Sequence, residues 1–442
     1  MKTIVFLKLL ARSVPRIVKA FRDLVIYWIS LRLHNGKAFS FEERFWKAVV
    51  AFLLLGRGPD FVIGINPRDV TDFYRQVPVL AYLPDRWVQW LIEHQWPLLC
   101  SEIKGVREVS GDGTLSGAPK RGYYVGVFFN PSMVDRHLNV RKKILHAVQF
   151  AETTAGDRHL IFGLSGWMGG VTRNGEWLVN QGVQASIATG NGNTAGIIAE
   201  MALELHALAG RHVQKPVIAF LGAAGVIGST AAELFGQLPL SATILLVDLP
   251  KNEGRLQALR EKIQASRSHP VEISVDRTAL RRAQLVIVTT SSPKAVIEPG
   301  DLSPGTVVID DSEPKNVPRE VQTLRRDVLV LHVVSQIPSS IHPNFNFGVP
   351  GEEKGSLFTC MPEVFILVAR RHRGHFAVGN SAVEVALEIV NWGKGHGFGL
   401  PVLYDVEGNV VRPGDLESFW QMYHNPSGTL SLSGRIRRVA PH

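Results

Sequence analysis

The chain has 442 residues, 45% hydrophobic and 20% charged, with 48 lysines and arginines against 39 acids. At roughly 150 residues per domain, this predicts two or three domains with sizeable cores and excludes a disordered chain. The net charge of +9 suits an anionic partner such as a nucleotide, an acidic carrier protein or a phospholipid. The basic residues do not form a nucleic-acid module, so nucleic acid is not expected as a ligand.

Residues 1–75 read as a basic amphipathic helical extension. The first six charges are Lys2, Lys8, Arg12, Arg16, Lys19 and Arg22, and no acid precedes Asp23. They alternate with Phe6, Leu9, Leu10, Ile17, Phe21, Leu24 and Trp28 at helical spacing, with a bend expected at Pro15. Two readings stand. Residues 1–35 dock on an anionic membrane surface, or the helix packs on its own domain with a solvated basic face. Lys8 interrupts the first apolar run and no small-x-small site follows, so a secretory leader is not expected. No run of about 20 uncharged apolar residues exists, so no spanning helix is expected; FWKAVVAFLLLG at 45–56 should pack against the first helix.

Residues 76–210 read as an α/β substrate domain. WVQWLIEHQWPLL suggests a helix, YYVGVFF a strand and RKKILHAVQFAE a helix, with a long helix after ATGNGNT. Residues 211–345 are the clearest unit. PVIAFL, TILLVD, VEISV, QLVIVTT, TVVID and VLVLHVV are short continuous apolar strands separated by helices. That is the pattern of a doubly wound parallel sheet, covered on both faces. Residues 346–410 form a cysteine-bearing helical segment, and 411–442 a tail of loop and short strand.

The first strand of the 211–345 unit runs into Gly222-Ala223-Ala224-Gly225-Val226-Ile227-Gly228. Such a turn alone is a weak signal. Here it joins a strand to a helix and is followed by Asp248 at the end of the next strand. Gly222 permits the tight turn, Gly225 lets a pyrophosphate approach the backbone, and Gly228 allows close helix–strand packing. A nicotinamide dinucleotide is therefore expected on Gly222, Ala223, Gly225, Val226, Ile227 and Gly228. Asp248 would accept the ribose hydroxyls and favour NADH, although Lys251 and Arg255 lie just beyond it. Thr289, Thr290 and Ser291 close the fourth strand at the nicotinamide end.

The chain has two cysteines, too few for a disulfide scaffold, so a reducing cytoplasmic compartment is expected, with peripheral attachment at the inner membrane face on the docking reading. Cys100 reads as buried packing. Cys360 precedes Pro362 and Glu363, first-turn residues of a helix VFILVA. A cysteine there is either a small buried hydrophobe or a nucleophile whose thiolate the helix start favours. A nucleophile beside a nicotinamide suggests that an acyl group moves from a thioester to sulfur and is then reduced to an aldehyde. Donors for the oxyanion are sought at the helix start and in the loops near Ser165 and Asn191.

Between about Pro97 and Leu403 the chain resembles the long-chain acyl-ACP reductases of cyanobacteria, which make fatty aldehydes. The blocks that carry this are RKKILHA, ATGNGNTA, VIAFLGAAGVIGS, VIEPGDLSPGTVVIDDSEPKN, SLFTCMPEV and GHGF, in that order. The resemblance implies that Cys360 accepts the acyl group, that the donor is acyl-ACP or acyl-CoA, and that Pro314, Lys315 and Asn316 lie near the site. It also implies NADPH, yet Asp248-Leu249 stands where the family has an arginine. Two rival readings remain: a dehydrogenase of a hydroxy acid or alcohol without covalent catalysis, and a membrane-attached dinucleotide-binding sensor. GLSGW at 163–167 reads as a structural turn, since Trp167 replaces the last glycine of a nucleophile elbow. His372 and His375 lack a metal-ligand set, so no metal is expected.

Overall fold

The computed structural model describes residues 2–34, 40–54, 56, 58–130, 133–134, 137–239, 241–266, 270–292, 294–399 and 401–424. Two sheets organise them. The first contains β1 (Phe61–Ile65), β2 (Leu98–Ile103), β3 (Gly122–Gly126), β4 (Ile161–Leu164) and β5 (Ser186–Ala188). Its order is β2-β3-β1-β4-β5, parallel except for β2. The second contains β6 (Val217–Leu221), β7 (Thr243–Val247), β8 (Val271–Ser274), β9 (Leu285–Val288), β10 (Val307–Asp310) and β11 (Leu329–Gln336). These run parallel in the order β8-β7-β6-β9-β10-β11. With β6 counted first this is 3-2-1-4-5-6, the doubly wound Rossmann arrangement. Two antiparallel strands, β12 (Ser356–Leu357) and β13 (Pro401–Asp405), pair with β11. The fold is α/β, as the alternation of apolar strands and helices implies.

The strand β1 moves an expected boundary. Residues 1–75 do not form a separate helical extension, because Phe61–Ile65 is fully buried and lies between β3 and β4. A five-residue apolar run can fill a central parallel position, since both faces of the strand are covered. The tail is also corrected. Pro413–His424 is a helix rather than loop and strand, and Leu416 and Trp420 are buried within the core. The last part of that expectation, 425–442, lies outside the described residues.

The helix Lys2–His34 runs through Pro15 without interruption. It packs on the helix His137–Ala155, with the Tyr27 hydroxyl 2.8 Å from His146 Nδ1. The second helix, Ser40–Leu53, lies against it, with Trp28 edge-on to Trp46. A solvated basic face is not what residues 16–34 present. Lys19 turns inward and donates to the Cys100 carbonyl at 3.1 Å, whereas Ile17, Val18, Phe21, Val25 and Trp28 face outward. Among the described residues, no helix is long and apolar enough to cross a membrane.

The helix Pro362–Ala369 follows the Rossmann strands in sequence yet packs under the first sheet. Phe365 meets Phe61 edge-on at 5.9 Å between centroids, and Val364 lies over Gly163. One continuous core therefore runs from the first sheet to the Rossmann sheet, through the helix Asn191–Ala209.

Candidate active site

A cavity of about 550 Å³ lies between the two sheets. Its walls include Gly225, Val226, Ile227, Thr289, Thr290 and Ser291 from the Rossmann side, and Cys360 from the loop before the helix Pro362–Ala369. From there it continues along Phe73, Val77, Leu98, Phe128, Phe345 and Phe347, and it ends at Arg16, Lys19, Ala20 and Asp23 of the first helix. One space thus joins the glycine turn, a cysteine and an apolar branch.

The turn suits a pyrophosphate. Gly222 has φ +88°, and a side chain there would meet the Thr289 carbonyl at 3.0 Å. A methyl group at Gly228 would sit 2.3 Å from the Gly222 oxygen, so this glycine lets the helix reach the strand. Gly225 begins the helix Val226–Gly236 and no side chain caps it. First-turn N–H groups thus remain to receive an anion. Ala223 is buried beneath the turn, and Gly222, Ala223 and Gly228 do not line the cavity. Asp248 lies at the end of β7. Its carboxylate accepts from Ala224 N (2.9 Å), Leu249 N (2.7 Å) and Asn252 Nδ2 (2.7 Å). It therefore ties the glycine turn to the next loop and sets a negative charge there. Among the described residues no group of three or more His, Cys, Asp or Glu could hold a metal ion.

Cys360 sits one residue before the N-cap, Met361, of a helix of only eight residues. Burial pushes its thiol up to about 12, and the nearby Asp311 adds to this, while the Gly166 N–H opposes it. The expectation that the helix start would favour the thiolate is not met. Removing the sulfur anion from water outweighs the pull of one short helix. The thiol of Cys100, on the apolar branch, is pushed up to about 11, again by burial.

Several residues without an assigned role in the sequence hold Cys360 in place. Glu363 is fully buried and accepts from Gly190 N at 2.7 Å and Asn193 N at 3.1 Å. Burial pushes its carboxyl up to about 7, against these N–H donors. Gly190 has φ +76° and packs directly on the Cys360 backbone. Asn193 Nδ2 donates to the Thr359 carbonyl at 2.7 Å. The ATGNGNT segment is thus the clamp on the cysteine loop. GLSGW also belongs to the site, through its backbone and its Trp167, which donates to the Glu313 carbonyl at 2.8 Å.

On the Rossmann side, Asp310 accepts from Ser312 N, Asn316 N and Val317 N at 2.8–3.0 Å and so braces the DDSEPKN loop. Asn316 is fully buried and bonded to Thr290, Ser292 and Pro314. Lys315 lines the cavity and donates to the Asp310 carbonyl. Asp311 accepts from Thr359 Oγ1 at 3.0 Å, and burial pushes its carboxyl up to about 7. Arg68 spans the two domains, with Asp72 at 2.8 Å and Glu313 at 3.5 Å. Ser165 and Asn191 both line the cavity.

No family model matches the chain. It is 24% identical over 279 residues to the long-chain acyl-[acyl-carrier-protein] reductase of Synechococcus elongatus, a match spanning 61% of this chain and 79% of that protein. Among solved structures, a dipicolinate synthase component from Bacillus halodurans is similar over 41% of this chain and 60% of its own, at 16% identity and a TM-score of 0.28. Quinate dehydrogenase from Corynebacterium glutamicum, in complex with NAD, is similar over 54% of this chain and 64% of its own, at 12% identity and a TM-score of 0.24. The chain spans less than two thirds of either of these two structures.

Proposed function

We propose that the chain is an NAD(P)H-dependent oxidoreductase that reduces a fatty acyl thioester to an aldehyde, through an acyl group carried on Cys360. The observation that carries this reading is the single cavity joining the uncapped glycine turn, the Cys360 thiol and an apolar branch walled by Phe73, Phe128, Phe345 and Phe347. A hydroxy-acid dehydrogenase has no use for such a branch. The name of the S. elongatus relative points the same way and suggests acyl-ACP, with acyl-CoA as the other donor.

Cys360 Sγ attacks the thioester carbonyl carbon and the donor's carbon–sulfur bond breaks. Because the thiol is held protonated, its proton needs an acceptor; Asp311 takes it and passes it to the departing thiolate, which leaves as a thiol. A nicotinamide dinucleotide held at Gly225, Val226 and Ile227 would supply a hydride to the acyl carbon. The oxygen on that carbon then takes a proton from solvent through the cavity. The resulting hemithioacetal collapses when its hydroxyl proton returns to sulfur, freeing the aldehyde and the thiol. Each cycle consumes one hydride and one proton. The charge of Asp248 supports NADH, by repelling a 2′-phosphate.

The test is to incubate the protein with long-chain acyl-CoA or acyl-ACP and weigh it intact. An adduct should form without cofactor and vanish in Cys360→Ala, and aldehyde should appear once NADH or NADPH is added. Neither adduct nor aldehyde, across chain lengths and both donors, rejects the reading.

A further inference from the structure

The helix Lys2–His34 carries two apolar stripes where a surface helix needs one. Ile26 and Ile29 are buried against the body of the protein. Ile17, Val18, Phe21, Val25 and Trp28 point the other way and fall within roughly 100° of the helix circumference. Single exposed apolar residues are ordinary, but a continuous row is not. Phe21 is 68% exposed and Trp28 52%. The second helix extends the row. Trp46 bridges Trp28 and Phe45, and Phe52, two turns beyond Phe45, is 77% exposed. A third segment adds to it. The turn Pro78–Tyr82 touches the first helix, and just beyond it Leu83, Trp87 and Trp90 are exposed.

The first helix is strongly basic, and the exposed acids beside the rest of the row, Glu43 and Asp85, are engaged by Lys47 and by the Tyr74 hydroxyl. Residues 1–34 hold seven lysines and arginines and a single acid, Asp23, which is buried and paired with Arg22. Arg32 lies over the Trp28 ring at 5.9 Å. Exposed tryptophans beside exposed aliphatic side chains, within a basic segment, match the boundary of a bilayer. There the ring enters the headgroup layer and cations meet lipid phosphates. A second copy of the chain would bring two basic segments together, which disfavours self-association.

We propose that the outward face formed by Phe21, Trp28 and their exposed neighbours on the first helix and by Phe45 and Phe52 on the second, with Leu83, Trp87 and Trp90, docks on the surface of a bilayer rich in anionic lipid. The chain lies on this surface and does not cross it. The proposal does not depend on the chemistry at Cys360. It does have a consequence for the cavity, whose far end is walled by Arg16, Lys19 and Ala20 of the docking helix. That end would lie beneath the membrane-facing side chains.

The experiment is cosedimentation of the full chain with vesicles of phosphatidylcholine and phosphatidylglycerol in equal parts, and with phosphatidylcholine alone. Binding to the mixed vesicles is expected, weakened by salt and by omission of the anionic lipid. The double variant F21E/W28E should lose at least about tenfold in affinity. Both side chains are exposed, so the fold should survive, with an unchanged circular dichroism spectrum and urea midpoint. The control Leu324→Glu alters an equally exposed residue of the Rossmann domain and should bind like the wild type. Three results overturn the proposal: no binding to the mixed vesicles, undiminished binding of F21E/W28E, or a vesicle-free dimer that this variant abolishes.

Discussion

Gly190→Ala tests whether ATGNGNT positions the cysteine. Gly190 has φ +76°, where a side chain costs about 1–2 kcal/mol. Its new methyl would lie 2.4 Å from Cys360 Cβ and 2.9 Å from Cys360 Cα and carbonyl oxygen, closer than side chains pack. Overpacking of that kind costs a further ~1–3 kcal/mol. The stiffer unfolded chain returns about 0.4–1 kcal/mol. The net expectation is a loss of roughly 2–4 kcal/mol, relieved in part by a shift of the cysteine loop away from the glycine. Urea unfolding reads the first quantity and the rate of Cys360 acylation the second. Gly182→Ala is the control. Its φ is +74°, but nothing lies within 4 Å of the added methyl, so it should lose only the conformational part and leave Cys360 untouched. If Gly190→Ala matches this control in both stability and acylation rate, the clamp does not exist as described.

Other perturbations probe the remaining parts. Asp311→Asn keeps an acceptor for Thr359 but removes a charge that raises the Cys360 thiol; its iodoacetamide reaction should move to lower pH, and an unmoved profile would exclude electrostatic contact between them. His332 on β11 is held down to about 4, mainly by burial and then by Lys315. A base with a lowered folded pKa contributes fully above the unfolded value of about 6.5 and loses that contribution as pH falls toward 4. Wild type should therefore lose roughly 3 kcal/mol relative to His332→Asn between pH 7 and pH 4, and parallel urea midpoints across that window would contradict it. Trp420→Ala should cost about 3–5 kcal/mol, since the side chain is fully buried, and a loss under about 1 kcal/mol would show that the helix Pro413–His424 is not part of the core.

The Rossmann unit was legible because its signals are local. Each strand is a continuous apolar run, and the glycine turn joins a strand to a helix within seven residues. What was missed falls into two kinds. The strand β1 and the helix Pro413–His424 had local signals that were outweighed by their surroundings. FVIGI follows a Gly-Pro-Asp break and precedes Asn-Pro, which marks a short buried strand inside an otherwise helical composition. PGDLESFW has proline in the first helical turn, aspartate near it and Leu416 and Trp420 four apart, which marks a helix. The clamp had no local signal. Glu363 meets Gly190 and Asn193 across some 170 residues of chain, and no periodicity relates positions that far apart. The raised thiol of Cys360 has no local signal for a related reason. The helix start is visible in sequence, while the burial that outweighs it is set by segments that only the fold brings together.

The helix Pro362–Ala369, lying under the first sheet, decides how this protein can be divided. The polypeptide leaves the first sheet through Asn191–Ala209 and returns to it near Cys360, so the two domains are tied twice. A fragment ending at Gln336 would contain every Rossmann strand of the parallel set and all of the first sheet. It would still open a hole beneath β1 and β4 where Val364 and Phe365 belong, and it would lack Cys360. The Rossmann half and the first-sheet half are therefore not modules to be exchanged or expressed apart. They are two ends of one closed circuit of chain, and the Cys360 sulfur sits where that circuit closes.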